Sequence, residues 1–224
     1  MAETDAPQGR LSGDQISEMD LPDWRSMHET LEARFRTGDF ATGLRLVADI
    51  GQAAQELDHH PDLDLRHGHL NVRLMSRDVW AKTSRDVELA RRISALAAAL
   101  GVTADPGAVS RLEIGLDTWD ADEIRPFWLA VLGLRRHPRF ADDLVDVDGN
   151  VATLWFQRCE PHPEPTQRFH LDVRVPPEIA EERIAAGVAA GGTLVSEERK
   201  PRFVVLADPQ GNKVCICTQI GRSD

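Results

Sequence analysis

The sequence lacks any unbroken run of about 18 apolar residues, the least a helix needs to cross a bilayer, so no membrane span is expected. Its start lacks the apolar stretch of a signal peptide. Residues 1–10, Met1 to Arg10, are polar and read as a loose tail. Positive charge is also short. With 26 Lys and Arg against 37 Asp and Glu, the formal net charge is -11. That leaves no basic footprint for nucleic acid or an anionic membrane surface. Cysteine is scarce: Cys159, Cys215 and Cys217 make an odd count without CxxC spacing. Reduced thiols in a cytoplasmic protein are the simplest reading.

What is present suits two domains. A chain of 224 residues exceeds one small domain and fits two of about 100 residues each. Gly101, Pro106 and Gly107 punctuate a linker at 101–110, which divides a first domain at 11–100 from a second at 111–221. Hydrophobic residues at 42% and charged residues at 28% suffice for ordinary cores and a wet surface.

The first half mixes two periods. Ser12 is placed to cap a short helix carrying Ile16 and Met19. Leu31, Ala33 and Phe35 alternate with charged residues, which predicts a strand over 30–37. Asp39 caps a helix whose apolar stripe is read as Phe40, Leu44, Val47 and Ala48. Leu70, Val72 and Leu74 predict another strand. Thr83 with Asp86 forms a capping box for a helix through Val87, Leu89, Ala90, Ile93, Leu96 and Ala97. The sum is an α+β layer fold, a small antiparallel sheet with helices on one face.

The second half repeats itself. Leu112–Leu116 is a strand, followed from Asp120 by a helix through Ile124, Phe127, Leu129 and Leu132. His170–Val175 is again a strand, followed by a helix through Ile179, Ile184 and Val188. Strand-like segments follow each unit: Leu144–Val147 and Ala152–Gln157, then Phe203–Leu206 and Lys213–Cys217. Between the last two lies the turn Asp208-Pro-Gln-Gly-Asn212. Two tandem βαβββ units are expected.

Chemistry concentrates at Glu56-Leu-Asp-His-His-Pro61. Adjacent histidines held by a proline form a plausible acid–base pair near neutral pH, and equally a polar turn at a helix end. Taken with Leu21-Pro-Asp-Trp-Arg25, the stretch from Leu31 to Asp39, Val72-Arg-Leu74 and Ser84-Arg-Asp86, the first half resembles the pterin-4a-carbinolamine dehydratases. The resemblance implies an αββαβα subunit with its pterin pocket at the His-His-Pro turn. It implies a lyase that removes water from a 4a-hydroxytetrahydropterin without metal or organic cofactor, with His59 and His60 as catalytic groups. It further suggests a homodimer or tetramer, and a reduced pterin as the small-molecule partner. Where the family carries a third histidine, this chain has Arg77, in Met75-Ser-Arg-Asp78. Arginine cannot act as a base, but it can polarise a leaving hydroxyl. Pro61, Ser76, Asp78 and Trp80 fall where substrate contacts are expected. His67 and His69 are read as one face of the following strand, and with His59 and His60 as a weaker candidate for a metal cluster.

Phe127-Trp128, Leu132-Gly133-Leu134, His170-Leu-Asp-Val-Arg-Val175 and the turn at 208–212 make residues 111–221 resemble the glyoxalase-like branch of the vicinal oxygen chelate superfamily. That implies paired βαβββ modules around a cup. The superfamily's metal positions fall at Glu113, about Gln157, His170 and Cys215, of which Glu113 and His170 are the plausible ligands. The set is not a standard one for a hard ion. Trp119, Trp128 and Trp155 are available to the cup or the core, while His137 and His162 read as solvent-facing. Three functions remain open: a dehydratase-like lyase, a non-catalytic pterin or small-molecule binder, and a glyoxalase-like enzyme acting on another metabolite.

Overall fold

The computed structural model describes residues 9–122, 124–125, 129, 134–149, 151–160, 169–189, 191–207 and 213–221. The chain forms two compact units, Met1–Val109 with Gln219–Asp224, and Ser110–Thr218. No helix among the described residues is long and apolar enough to cross a membrane.

In the first unit, helix α1 (Gly13–Ser17) opens on the predicted Ser12 cap. Its hydroxyl accepts from Gln15 N while the Gln15 side chain reaches back to Ser12 N, satisfying two amides the first turn leaves open. Strands β1 (Arg25–Met27) and β2 (Thr30–Arg36) follow. Helix α2 (Phe40–Leu57) comes next, capped by Asp39. Strands β3 (Asp62–Leu65) and β4 (His69–Leu74), helix α3 (Ser84–Ala99) and the short β5 (Thr103–Ala104) complete the unit. The sheet runs β1-β2-β4-β3 with β5 beside β2, antiparallel throughout. Register places Leu31, Ala33 and Phe35 opposite Leu74, Val72 and Leu70. All six are buried, packed with Leu46, Ile50 and Ala53 of α2 and Leu89, Ile93 and Ala97 of α3.

The α+β class holds, and two details differ from the expectation. The string αββαβα gains two strands: the segment after Pro61 pairs with β4 as a hairpin, and β5 adds to β2 after the last helix. In addition, the buried stripe of α2 is Gly43, Leu46, Ile50, Ala53 and Ala54, whereas Phe40 and Leu44 stand exposed. Leu65 of β3 lies over Gly43 so closely that an added Cβ would meet its Cδ1 at 2.4 Å. The bare glycine lets the strand's side chain seat on the helix, which turns that face inward.

The second unit is one sheet built from two repeats. The first holds β6 (Arg111–Thr118), β7 (Arg135–Arg136), β8 (Asp143–Val145) and β9 (Thr153–Arg158). The second holds β10 (Phe169–Arg174), helix α4 (Pro177–Ala189), β11 (Thr193–Ser196), β12 (Phe203–Ala207) and β13 (Lys213–Cys217). Ala121, Asp122, Ile124, Arg125 and Leu129 are helical, giving the first repeat its βαβββ order as well. Strand order is β11-β12-β13-β10-β6-β9-β8-β7. It reads alike from either end: an antiparallel β6/β10 centre, then a parallel neighbour on each side.

Strand alternation sorts the side chains by face. Leu116, Leu144, Leu154 and Phe156 pack with Ile124 and Leu129. Val204, Leu206 and Ile216 pack with Ala180 and Ile184 of α4. The intervening positions, Glu113, Gly115 and Asp117 of β6 with His170, Asp172 and Arg174 of β10, share the opposite face, together with Cys215 in register beside Asp172.

Candidate functional sites

The His-His-Pro turn is built by the end of α2. Asp58 takes the left-handed conformation (φ 47°) as its C-cap, and His59 N donates to Ala54 O at 3.0 Å. The reversal sends the two histidines to different environments. His59 is buried and its Nε2 lies 2.8 Å from Asp86 Oδ1. A carboxylate facing an imidazole accepts, so that nitrogen carries the proton. His60 is exposed, and its Nε2 accepts from the Gln55 amide at 3.0 Å.

Asp86 has no exposed surface, and donors surround its carboxylate. Its second oxygen accepts from Thr83 N at 2.7 Å, Ser76 Oγ at 2.8 Å and Thr83 Oγ1 at 3.2 Å. The Ser76 and Thr83 hydroxyl oxygens lie 2.7 Å apart. A bridge from Ser76 to Ala81 closes the loop between β4 and α3 and holds the two hydroxyls at the carboxylate. Burying a carboxylate is tolerable only with donors gathered around it, as here.

Asp62 organises the neighbouring surface. It stands opposite Arg73 in register, and Arg73 forks onto Oδ2 through Nε at 2.9 Å and Nη2 at 2.7 Å. The exposed Arg77 bonds Oδ1. Asp78 is paired with Arg85 at 2.5 Å. Trp80 is partly buried with φ 48°, and Pro61 is partly buried.

The structure therefore joins His59 and Ser76 through Asp86, and ties Arg77 and Asp78 to other partners. Asp86, Thr83 and Asp62 were not among the expected site residues. The capping box was visible in the sequence, but a cap residue reads as local. Nothing in the spacing announces that its free oxygen receives a histidine from 27 positions earlier. The four-histidine metal cluster is not formed among the described residues. His59 is spent on Asp86, His67 lies in the bend before β4, and only His69 is on the strand.

In the second unit, Glu113 and Arg174 form a buried pair at 2.5 Å. His170 lies between two carboxylates, Nε2 3.4 Å from Asp117 and Nδ1 3.4 Å from Asp172. Asp172 foremost, opposed by burial and helped by Asp117, holds the imidazole pKa above its ordinary value. Burial, aided by Asp172, pushes the Cys215 thiol upward. The His170 ring stands edge-on to Trp155 at 5.2 Å. It also rests on Gly115, where an added Cβ would come within 2.5 Å of it.

The metal positions implied by the glyoxalase-like resemblance do not fit a hard divalent ion. Glu113 is engaged by Arg174, Gln157 is an exposed neutral amide, and Cys215 is a soft thiol. His137, expected at the surface, is buried instead. Its Nδ1 accepts from Arg139 N and Phe140 N, both at 3.0 Å, so the imidazole closes a turn as a backbone carbonyl would. Trp119 is exposed and Trp155 faces His170, whereas Trp128, His162, Phe127 and the 208–212 turn lie outside the described residues.

An α+β subunit with an anchored histidine beside an exposed one, joined to a paired βαβββ sheet, defines the two classes of domain. Residues 9–96 match the model of the pterin 4 alpha carbinolamine dehydratase family, and residues 113–217 match that of a glyoxalase-like domain. A protein of Nocardia farcinica, provisionally named a pterin-4-alpha-carbinolamine dehydratase, is 34% identical over 89 residues, 39% of this chain and 94% of its own. A Brucella melitensis structure titled transcriptional coactivator/pterin dehydratase is 27% identical, with a TM-score of 0.38 over 39% of this chain and 98% of that one. A Vibrio splendidus structure titled a glyoxalase/bleomycin resistance protein/dioxygenase superfamily member is 16% identical, with a TM-score of 0.34 over 49% of this chain and 99% of that one. The chain belongs to the pterin-4a-carbinolamine dehydratase family, with a glyoxalase-like domain as its second half.

Proposed function

We propose that the first unit is a dehydratase-like lyase that removes water from a pterin 4a-carbinolamine. The observation that carries this is the pairing of an exposed His60 with a neighbour, His59, fixed on the buried Asp86. In the reaction the bond from ring carbon 4a to its hydroxyl breaks and the adjacent ring N–H gives up its proton. The hydroxyl leaves as water and a quinonoid dihydropterin remains. His60, open to solvent, is the group able to take the nitrogen's proton and return it to the departing oxygen. His59 is a positioning residue: its anchored ring fixes the turn from which His60 projects. Arg77 cannot exchange protons, but its guanidinium favours negative charge developing on the leaving oxygen. Pro61 and Trp80 offer apolar surface to a flat ring. Dimers or tetramers are the assembly expected of the full chain.

The test is stopped-flow absorbance of 4a-hydroxytetrahydropterin dehydration in chelator-treated buffer. Acceleration over the spontaneous rate is expected, with His60→Ala losing about two to four orders of magnitude of it. An unchanged rate in that variant removes His60 from the mechanism. One observation favours a second reading, a pterin binder without turnover: Arg77 is drawn onto Asp62 and stands where the family carries a histidine. Saturable pterin binding without acceleration is the outcome that selects it.

A further inference from the structure

The face of the first sheet turned away from α2 and α3 carries a row of alternating charge. Register sets Arg25 of β1 opposite Glu32 of β2, Glu32 opposite Arg73 of β4, and Arg73 opposite Asp62 of β3. Arg77, just beyond β4, closes the row by bonding the other oxygen of Asp62. Arg25, Arg73 and Arg77 thus face Glu32 and Asp62, an excess of positive charge in a chain whose formal net charge is -11. The next row along the strands, Arg34 with Asn71 and Asp64, has no such excess. Asp62 holds its two arginines without exhausting them. Arg73 bonds through Nε and Nη2, and Arg77 through Nη2. That leaves Arg73 Nη1 and Arg77 Nε and Nη1 without a partner among the described residues, and the Arg77 side chain is 56% exposed. The place is the one the chemistry needs, since Asp62 directly follows the His-His-Pro turn. The non-glycine residues of positive φ among the described residues are His28, Asp58 and Trp80. They lie on the three connections that meet at this end of the sheet. Backbone held in that region collects at binding sites.

We propose that Arg77 and Arg73, oriented by Asp62, bind an oxyanion on the substituent of the pterin ring, so that the substrate is a carbinolamine bearing a carboxylate or a phosphate. The inference rests on the first unit being a pterin-binding lyase and adds the class of its substrate. The ring carbon that carries the substituent is joined to the nitrogen that loses its proton, and that nitrogen to carbon 4a. A substituent therefore leaves the ring on the edge that His60 and Arg77 serve in the reaction. From that edge Asp62 leads onto the sheet face where Arg73 stands. A guanidinium fork matches the paired oxygens of a carboxylate or phosphate. It also keeps its charge at any working pH, which an imidazole in the place of Arg77 does not. Asp62 offsets one of the two charges and fixes the geometry, so the anion meets donors already in position.

The experiment is calorimetric titration of the full chain with pterin-6-carboxylate and with neutral 6-hydroxymethylpterin, with the phosphate ester of the latter as a third probe. At least one anion is expected to bind about tenfold or more tighter than the alcohol, and the tighter of the two names the substituent. Arg77→Ala and Arg73→Ala should each reduce that preference to within about threefold, whereas Arg34→Ala, one row away, should leave it unchanged. High salt should shrink the preference as well, because Arg77 is exposed. Circular dichroism checks that each variant is folded, and the exposed Arg77 can be replaced without opening the core. Equal affinity for the three pterins, or a preference that survives both substitutions, overturns the inference while the pterin reading stands. If none of the three binds, the pterin reading itself fails and this inference falls with it.

Discussion

His59 donates a 2.8 Å hydrogen bond to Asp86, and Asp86 is also the residue that closes the capping box of α3. One carboxylate thus starts a helix and anchors the turn carrying the exposed His60. Replacing Asp86 by Ala strands buried donors from His59, Ser76 and Thr83. Each such group costs about 1–3 kcal/mol, so a loss of at least about 2 kcal/mol is expected by urea unfolding. Ser94→Ala, which removes the acceptor for Trp24 Nε1 elsewhere on α3, should cost less. Equal losses would mean the network is not specially stabilising.

Leu46 and Leu44 lie two positions apart on α2 and face opposite ways. Leu46 is fully buried and Leu44 is 51% exposed. Leu46→Ala should cost about 2–5 kcal/mol and Leu44→Ala no more than about 0.5. Thermal melts of the two variants decide whether the stripe sits where the structure puts it.

Asp39 gives the first unit an acid dependence of known sign. A hydrogen bond from Thr42 N, joined by one from the Thr42 hydroxyl, holds its carboxyl pKa below the ordinary 3.8. A depressed folded value means that the stabilisation is complete above 3.8 and is lost as pH falls through the lower folded value. Asparagine caps helices as well but does not titrate there. The stability gap between the wild type and Asp39→Asn should therefore narrow only below pH 3.8. A gap that stays constant down to full acid unfolding would count against the cap's role.

Gly115→Ala places a methyl group within 2.5 Å of the His170 ring. The ring must move, since the alternative is to distort β6. A loss of about 1–3 kcal/mol is expected, with a change in Trp155 fluorescence because the two rings touch. An unaltered emission spectrum would show that the ring is not seated on Gly115.

Much of this fold was legible in residues whose neighbours are close in sequence. Ser12 and Thr83 declared their caps, and the alternation at Leu31–Phe35 and Leu70–Leu74 marked the central strands. The duplication showed in the repeated strand–helix pattern, although β7 and β11 are not among the segments it marked. What escaped depends on distant partners. The strand Asp62–Leu65 is four residues at a sheet edge, and without it Gly43 gives no sign of facing inward. His137 looked like a loop histidine because nothing local reveals that two backbone amides converge on it. The histidine pair was legible as a motif, but its division into one buried and one exposed ring was not. That division depends on a carboxylate 27 residues away.

The pair between Glu113 and Arg174 joins one repeat of the second sheet to the other, across the β6/β10 centre. Breaking such a buried pair costs about 3–5 kcal/mol, because the remaining charge keeps its burial and loses its complement. Substitutions at these two positions are therefore epistatic: a neutral residue at Glu113 is tolerated far better when Arg174 is neutral too. The two repeats are therefore not independent modules: the centre of the sheet tolerates a change in one only when the other changes with it.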